Sequence, residues 1–183
     1  MLSGIFDFAQ EIGNAMGWVL PALCYIVGST FLPGAVFSLY KASSGSGTIL
    51  SFGVPAALLT GAAICLSFPE FINTGSRTLG FSAGASFTDS SGKVSFSENT
   101  LITAMAAGPA ETLKAVLHLF RFFFMNYGAL IVFFAVTRQI GRAKGTNNSS
   151  ASSNLIMIFG GFFIMNADTI VPVLATKLHL VSS

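Results

Sequence analysis

The residues with chemistry to offer are few, and most stand at the edges of apolar runs. Arg121 and Asp168 are charged side chains set inside FRFFFMNYGALIVFFAV and LIMIFGGFFIMNADTIVPV. An ion in such a run is costly unless it is paired, hydrated or able to reach a headgroup. Counted outward from the middle of the polar stretch TRQIGRAKGTNNSSASSN, the two stand about 25 and 21 residues away, near the same end of a hairpin. A contact between them is one solution; separate excursions to the far headgroups are the other. A second set is basic. Lys41 opens the loop KASSGSG, and Arg138, Arg142 and Lys144 lie in the later loop, with no Asp or Glu in either. Catalytic patterns do not emerge: there is no phosphate loop, no His/Cys metal spacing and no Ser-His-Asp or Cys-His arrangement. His118 has no second His or Cys nearby, so a metal site is not expected. Glu70, Glu98 and Glu111 are scattered. The expectation is a protein that is not an enzyme and holds no metal.

Composition says what positions these residues. Of 183 residues, 52% are hydrophobic and only 9% charged, against about 25% charged in soluble domains. Glu11 to Lys41 and Lys41 to Glu70 enclose 29 and 28 uncharged residues, Arg121 to Arg138 encloses 16, and Lys144 to Asp168 encloses 23. A helix of about 20 apolar residues crosses a hydrocarbon core of about 30 Å. The sequence therefore predicts an all-α integral membrane protein with four hydrophobic helices, arranged as two hairpins.

The expected organisation is an interfacial helix over 1–17, a first helical hairpin over 18–72, a polar outer loop over 73–99, an amphipathic helix over 100–118 and a second hairpin over 119–183. Ile5, Phe8, Ile12 and Met16 share a stripe that suits a helix lying at the interface; the competing reading is the start of the first crossing. Trp18 and Tyr40 bracket that crossing at headgroup level, and Pro33 is expected to kink it. Phe68–Pro69–Glu70 should end the second crossing. SFTDSSGKVSFS alternates about a turn signal and predicts a small β-hairpin, with a disordered surface loop as the alternative. Gly108–Pro109 breaks the amphipathic helix.

Small residues mark where helices can approach: Gly28 and Gly34, then Gly53, Ala57 and Gly61, then Gly160 and Gly161. In membranes such faces are packing surfaces. Cys24 and Cys65 lie symmetrically about Ser44–Gly45, which makes a disulfide conceivable; two small apolar packers are the reading taken.

All seven acids lie outside the two basic loops. The positive-inside rule then places both loops in the cytoplasm and both termini outside. The N-terminus carries Asp7 and Glu11 and no basic residue, unlike a cleavable signal, and is expected to be retained. The net charge of +2 is too small for a nucleic-acid surface. The two halves repeat one scheme in hydropathy rather than in letters: apolar run, basic Ser-rich loop, apolar run, acid near the outer end. Parallel repeats of this kind occur in transporters.

The order FRFFFMNYGALIVFFAVTRQIGRAKG, then NLIMIFGGFFIMNADTIV with Gly160–Gly161 and Asn166, resembles small membrane proteins of type IVB secretion and IncI-type conjugation systems, of the DotE (IcmC) and TraQ kind. The resemblance covers residues 116–173, and 21–81 in outline. Asn126–Tyr127 and Asp168 depart from its pattern. It implies a non-enzymatic part of an envelope machine that moves DNA or protein, in the Gram-negative inner membrane. A second, architectural likeness is to conjugative pilins, which are apolar hairpins with a basic loop and outer termini that polymerise with phospholipid. That likeness implies self-association, extraction into a surface pilus, contact with other secretion components, and transit of single-stranded DNA or protein. Lys41, Arg138, Arg142 and Lys144 would then meet phospholipid phosphate or offset the charge of a passing strand. Topology alone also accounts for all four. A small solute transporter or channel is the alternative function, and an immunity or entry-exclusion accessory a third.

Overall fold

The structure, a computed structural model, describes residues 2–44, 52–81 and 97–178. Among these residues it is all-helical. The helices are α1 (Leu2–Ser43), α2 (Gly53–Leu66), α3 (Phe68–Thr78), α4 (Glu98–Ala107), α5 (Pro109–Leu119), α6 (Arg121–Ala143), α7 (Ala151–Met165) and α8 (Ala167–Lys177). The chain is a membrane protein by the length and apolarity of its helices. Two, α1 and α6, are long and apolar enough to cross a bilayer, and there are up to four crossings if each bent pair counts as one.

The expected boundary near residue 17 falls inside α1. That helix has 42 residues, about 63 Å at 1.5 Å per residue, and both Pro21 and Pro33 lie within it. Gly13 lets it stay close to the next layer, because a methyl group there would stand 2.8 Å from the Phe122 ring on α6. The second and fourth apolar runs do not continue straight. The pair α2–α3 bends by 92° at Ser67, and α7–α8 by 87° at Asn166. Pro69 sits in the first turn of α3, where its missing N–H costs nothing, so it opens a new helix rather than ending the old one. Gly108 takes φ +117 and starts α5 with Pro109 at its first turn. The β-hairpin expected around Phe87–Phe96 lies outside the described residues.

The core forms around α6. Ala129, Val132 and Phe133 pack with Leu20 and Cys24 of α1, Leu58 and Cys65 of α2, and Phe162 and Met165 of α7. Within each half the long helix packs on its return arm, α1 on α2 and α6 on α7, and the halves meet through α1–α6 and α2–α6. The α4–α5 hairpin rests on α8 and closes a second cluster of Phe6, Leu101 and Leu119. The outside is apolar as well. Trp18, Phe37 and Tyr40 on α1 and Ile156 on α7 are exposed by 69–79%, and only 22% of the most apolar window of α1 is buried. Such a surface is unfavourable in water and costs nothing in lipid.

Candidate functional site

The two basic loops hold four of the nine Lys and Arg residues. Lys41 and Arg142 stand in the last turns of α1 and α6, where the helix dipole favours cations. Lys144 follows directly, and all three are exposed. Arg138 leans onto the return arm, its Nη1 lying 3.3 Å from Met157 Sδ. The polar residues of the later loop pin it. Thr146 Oγ1 donates to the Gly141 carbonyl at 2.9 Å, Asn147 Oδ1 accepts from the Ser149 amide at 2.9 Å, and Ser150 caps α7 by accepting from the Ser153 amide. Such Asx turns and N-caps satisfy backbone groups that a short turn would leave orphaned.

Asn154, which sequence reasoning passed over, anchors this loop. It is 1% exposed, and its Nδ2 donates to Gln139 Oε1 at 2.9 Å and to Ser149 Oγ at 3.0 Å. Its only signal was a polar amide at the mouth of an apolar run. Replacing Asn154 with Ala should cost about 1–3 kcal/mol, the penalty for breaking a buried polar junction. Thermal unfolding in detergent would register this as a lowered Tm, and an unchanged Tm would show that the loop holds without it.

The opposite end of each half is a hinge. Ser67 (φ −112, ψ 38) and Asn166 (φ −109, ψ 22) share one backbone conformation. Each turns its side chain back on the carbonyl four residues earlier: Ser67 Oγ on Ala63 at 2.6 Å and Asn166 Nδ2 on Phe162 at 2.9 Å. Each perpendicular helix then begins with an acid, Glu70 or Asp168, and ends with a base, Arg77 or Lys177, matching its dipole. At the second hinge Asp168 meets Arg121, with Oδ2 3.3 Å from Nε. Of the two alternatives for these charges, the structure brings them together. Arg121 stands at the start of α6, where the dipole disfavours a cation, and the carboxylate offsets that.

The small-residue positions divide. A methyl group at Gly28 would stand 3.0 Å from Leu66, Gly61 receives Ile140 and Phe31, and Ala57 lines the adjoining crevice of about 260 Å³. Gly161 faces Gly128, and a methyl at Gly128 would lie 2.5 Å from the Gly161 carbonyl oxygen. Gly34 is in ordinary contact with Leu58, while Gly53 and Gly160 face open space. Gly128 and Gly75, the latter under the Phe162 ring, were missed by the sequence reading; Gly75 fell in the stretch read as a polar outer loop, 73–99, which α3 enters as far as Thr78. Cys24 and Cys65 are free thiols buried in the core.

Ser29, Thr30, Thr60 and Asn126, the polar residues inside the apolar runs that a solute path would call on, each donate to a carbonyl of their own helix, at 2.8–3.0 Å. Among the described residues no group of three His, Cys, Asp or Glu stands together as a metal-binding set. No family model, curated protein or solved structure matches the chain.

Proposed function

We propose that the chain is a non-enzymatic, self-associating structural subunit of a type IVB conjugation or secretion apparatus, a pilus or channel subunit held in the Gram-negative inner membrane. In this reading each half crosses twice, both basic loops are cytoplasmic and both termini are periplasmic. The observation that carries it is the duplicated bent hairpin with an apolar exterior: one scaffold, used twice, with close helix approach and, among the described residues, no convergent polar groups at its centre. The resemblance of residues 116–173 points to the same class of machine. Lys41, Arg142 and Lys144 then face phospholipid phosphate, each worth about 1 kcal/mol near an anionic surface. The Arg121–Asp168 pair is the one feature that favours a transporter, since intramembrane charges often mark solute paths.

The deciding experiment is electron microscopy of sheared surface filaments and of detergent-solubilised membranes, with both fractions blotted for this chain. We expect it in a regular filament or a discrete multimeric particle, and deletion in donor cells should abolish transfer. A monodisperse monomer together with normal transfer from the deletion strain would overturn the reading. Solute uptake by liposomes that depends on Arg121 would favour the transporter.

A further inference from the structure

The two halves can be placed in register on their hinges. Gly61 stands six residues before Ser67, and Gly160 six before Asn166. On the long helices Gly28 and Gly128 occupy one station: each lies against the residue immediately before its hinge, Leu66 and Met165 respectively. The repeat that was visible only in hydropathy is thus a repeat of contacts, with a shift of about one hundred residues. One contact is made in the first half and left open in the second. Gly61 is covered by Ile140, reaching across from α6 of the other half, whereas a methyl group at Gly160 would meet nothing within 4 Å.

The way the halves meet explains the vacancy. In the first half α1 and α2 pack on α6, and α3 lies across α7. A two-fold relation would add α7 on α1 and α8 on α2, but neither is among the principal packed pairs of the described residues. The contact is therefore heterologous, head to tail. It uses one face of each half and leaves the matching face on the other side of each half unfilled.

What would cover Gly160 follows from the same register. The counterpart of Ile140 on α1 is Tyr40, which is 72% exposed, beside Val36 and Phe37 at 63% and 69%. On α7 the open glycine shares its side of the helix with Ile156 and Phe163, four residues before and three after it, with Phe159 at the edge of the same patch and all three exposed. We propose that a second copy of this chain docks its α1 on this face of α7, with its Tyr40 over Gly160, repeating between molecules the contact that Ile140 makes on Gly61 within one. Lipid tails are as apolar as these side chains, so the gain comes from close packing, which a glycine permits and lipid cannot match. Because the contact is not reciprocal, each docked copy presents the same open face again. Successive copies then close into a ring or continue as a helical filament. The inference rests on the self-association reading and names its surface.

The test uses two full-length copies with different affinity tags, co-expressed in membranes. In a background with Cys24→Ala and Cys65→Ala, one copy carries Tyr40→Cys and the other Gly160→Cys. On mild oxidation a covalent two-tag dimer should form in this pair, and it should be lost when Gly53→Cys, an equally open glycine on α2, replaces Gly160→Cys. With the native cysteines retained, Gly160→Leu should lower co-purification of the two tags about tenfold, some 1.4 kcal/mol of association. Its own fold should be kept, since the site is open within one copy. If the tags co-purify without the Tyr40→Cys/Gly160→Cys dimer and without an effect of Gly160→Leu, this docking face is wrong and self-association stands. If the tags do not co-purify at all, both readings fall.

Discussion

Replacing Gly128 with alanine is expected to be the most damaging small substitution in the chain. The added methyl would stand 2.5 Å from both the Gly161 carbonyl oxygen and Met165 Cγ, and 2.8 Å from the Met165 amide nitrogen. Two of these three atoms belong to the backbone of α7, so no rotamer change relieves the overlap and the helices themselves must part. Overpacking in a tight core costs typically 1–3 kcal/mol where side chains can adjust, and more where they cannot. We expect at least about 3 kcal/mol here, read as a lost or strongly broadened gel-filtration peak in mild detergent. Alanine at Gly160, although adjacent in sequence to the critical Gly161, should leave each copy folded and the peak sharp, shifted at most to a smaller assembly, because the site is open within one copy. Equal behaviour of the two variants would show that α6 and α7 do not cross at Gly128.

Removing the guanidinium at Arg121 is expected to cost about 3 kcal/mol, because it strands a carboxylate of which only 14% is exposed. Arg121→Met should therefore lower the Tm sharply. Asp168→Asn should do less, under about 1 kcal/mol, because the arginine is 40% exposed and its long stem can carry the charge to water or headgroups. The double variant should recover much of the loss, giving a favourable coupling of the two residues in a double-mutant cycle. Additive effects would mean that the two charges act separately. The asymmetry matters for function too. An ion pair that fixes the second hinge predicts that both single variants impair assembly in proportion to stability, whereas a transport role predicts loss of flux at normal stability.

Much of this architecture was legible because hydropathy reports the solvent of a helix. The apolar runs, the basic loops, the Gly108–Pro109 break and the common end at which Arg121 and Asp168 would stand all follow from counting. The bends at Ser67 and Asn166 did not, since the chain stays apolar on both sides of each: Cys65 and Leu66 before Phe68, Ile164 and Met165 before Ala167. Hydropathy says that a residue is in the membrane but not which way the helix points. The signal that remained was a hydrogen-bonding side chain at each bend, Ser67 or Asn166, folded back on the carbonyl that its own amide also reaches. The join between the N-terminal segment and the first crossing was misplaced for the opposite reason. Gly17–Trp18 looks like a boundary, but a single glycine costs a helix about 1 kcal/mol, and packing of α1 on α6 at Gly13 outweighs that. Gly160 and Gly161 could not be told apart by composition. Neighbours on a helix point about 100° apart, so only one of them can face α6.

The hinge at Asn166 also sets a length. Between the polar cluster at Ser149–Asn154 and the bend, the uninterrupted apolar part of α7 is Leu155–Met165, about 16 Å of helix against a hydrocarbon core of about 30 Å. Neighbouring α6, with 23 residues, is long enough at about 34 Å. In the four-crossing reading the bilayer beside α7 must therefore thin, with lipid on that flank drawn toward the shorter arm. The mismatch costs fractions of a kcal/mol per ångström, and clustering of thin flanks is one way to lessen it. A row of such molecules would share one groove of compressed lipid along its length, so bilayer elasticity itself would draw copies together along the side on which α7 lies.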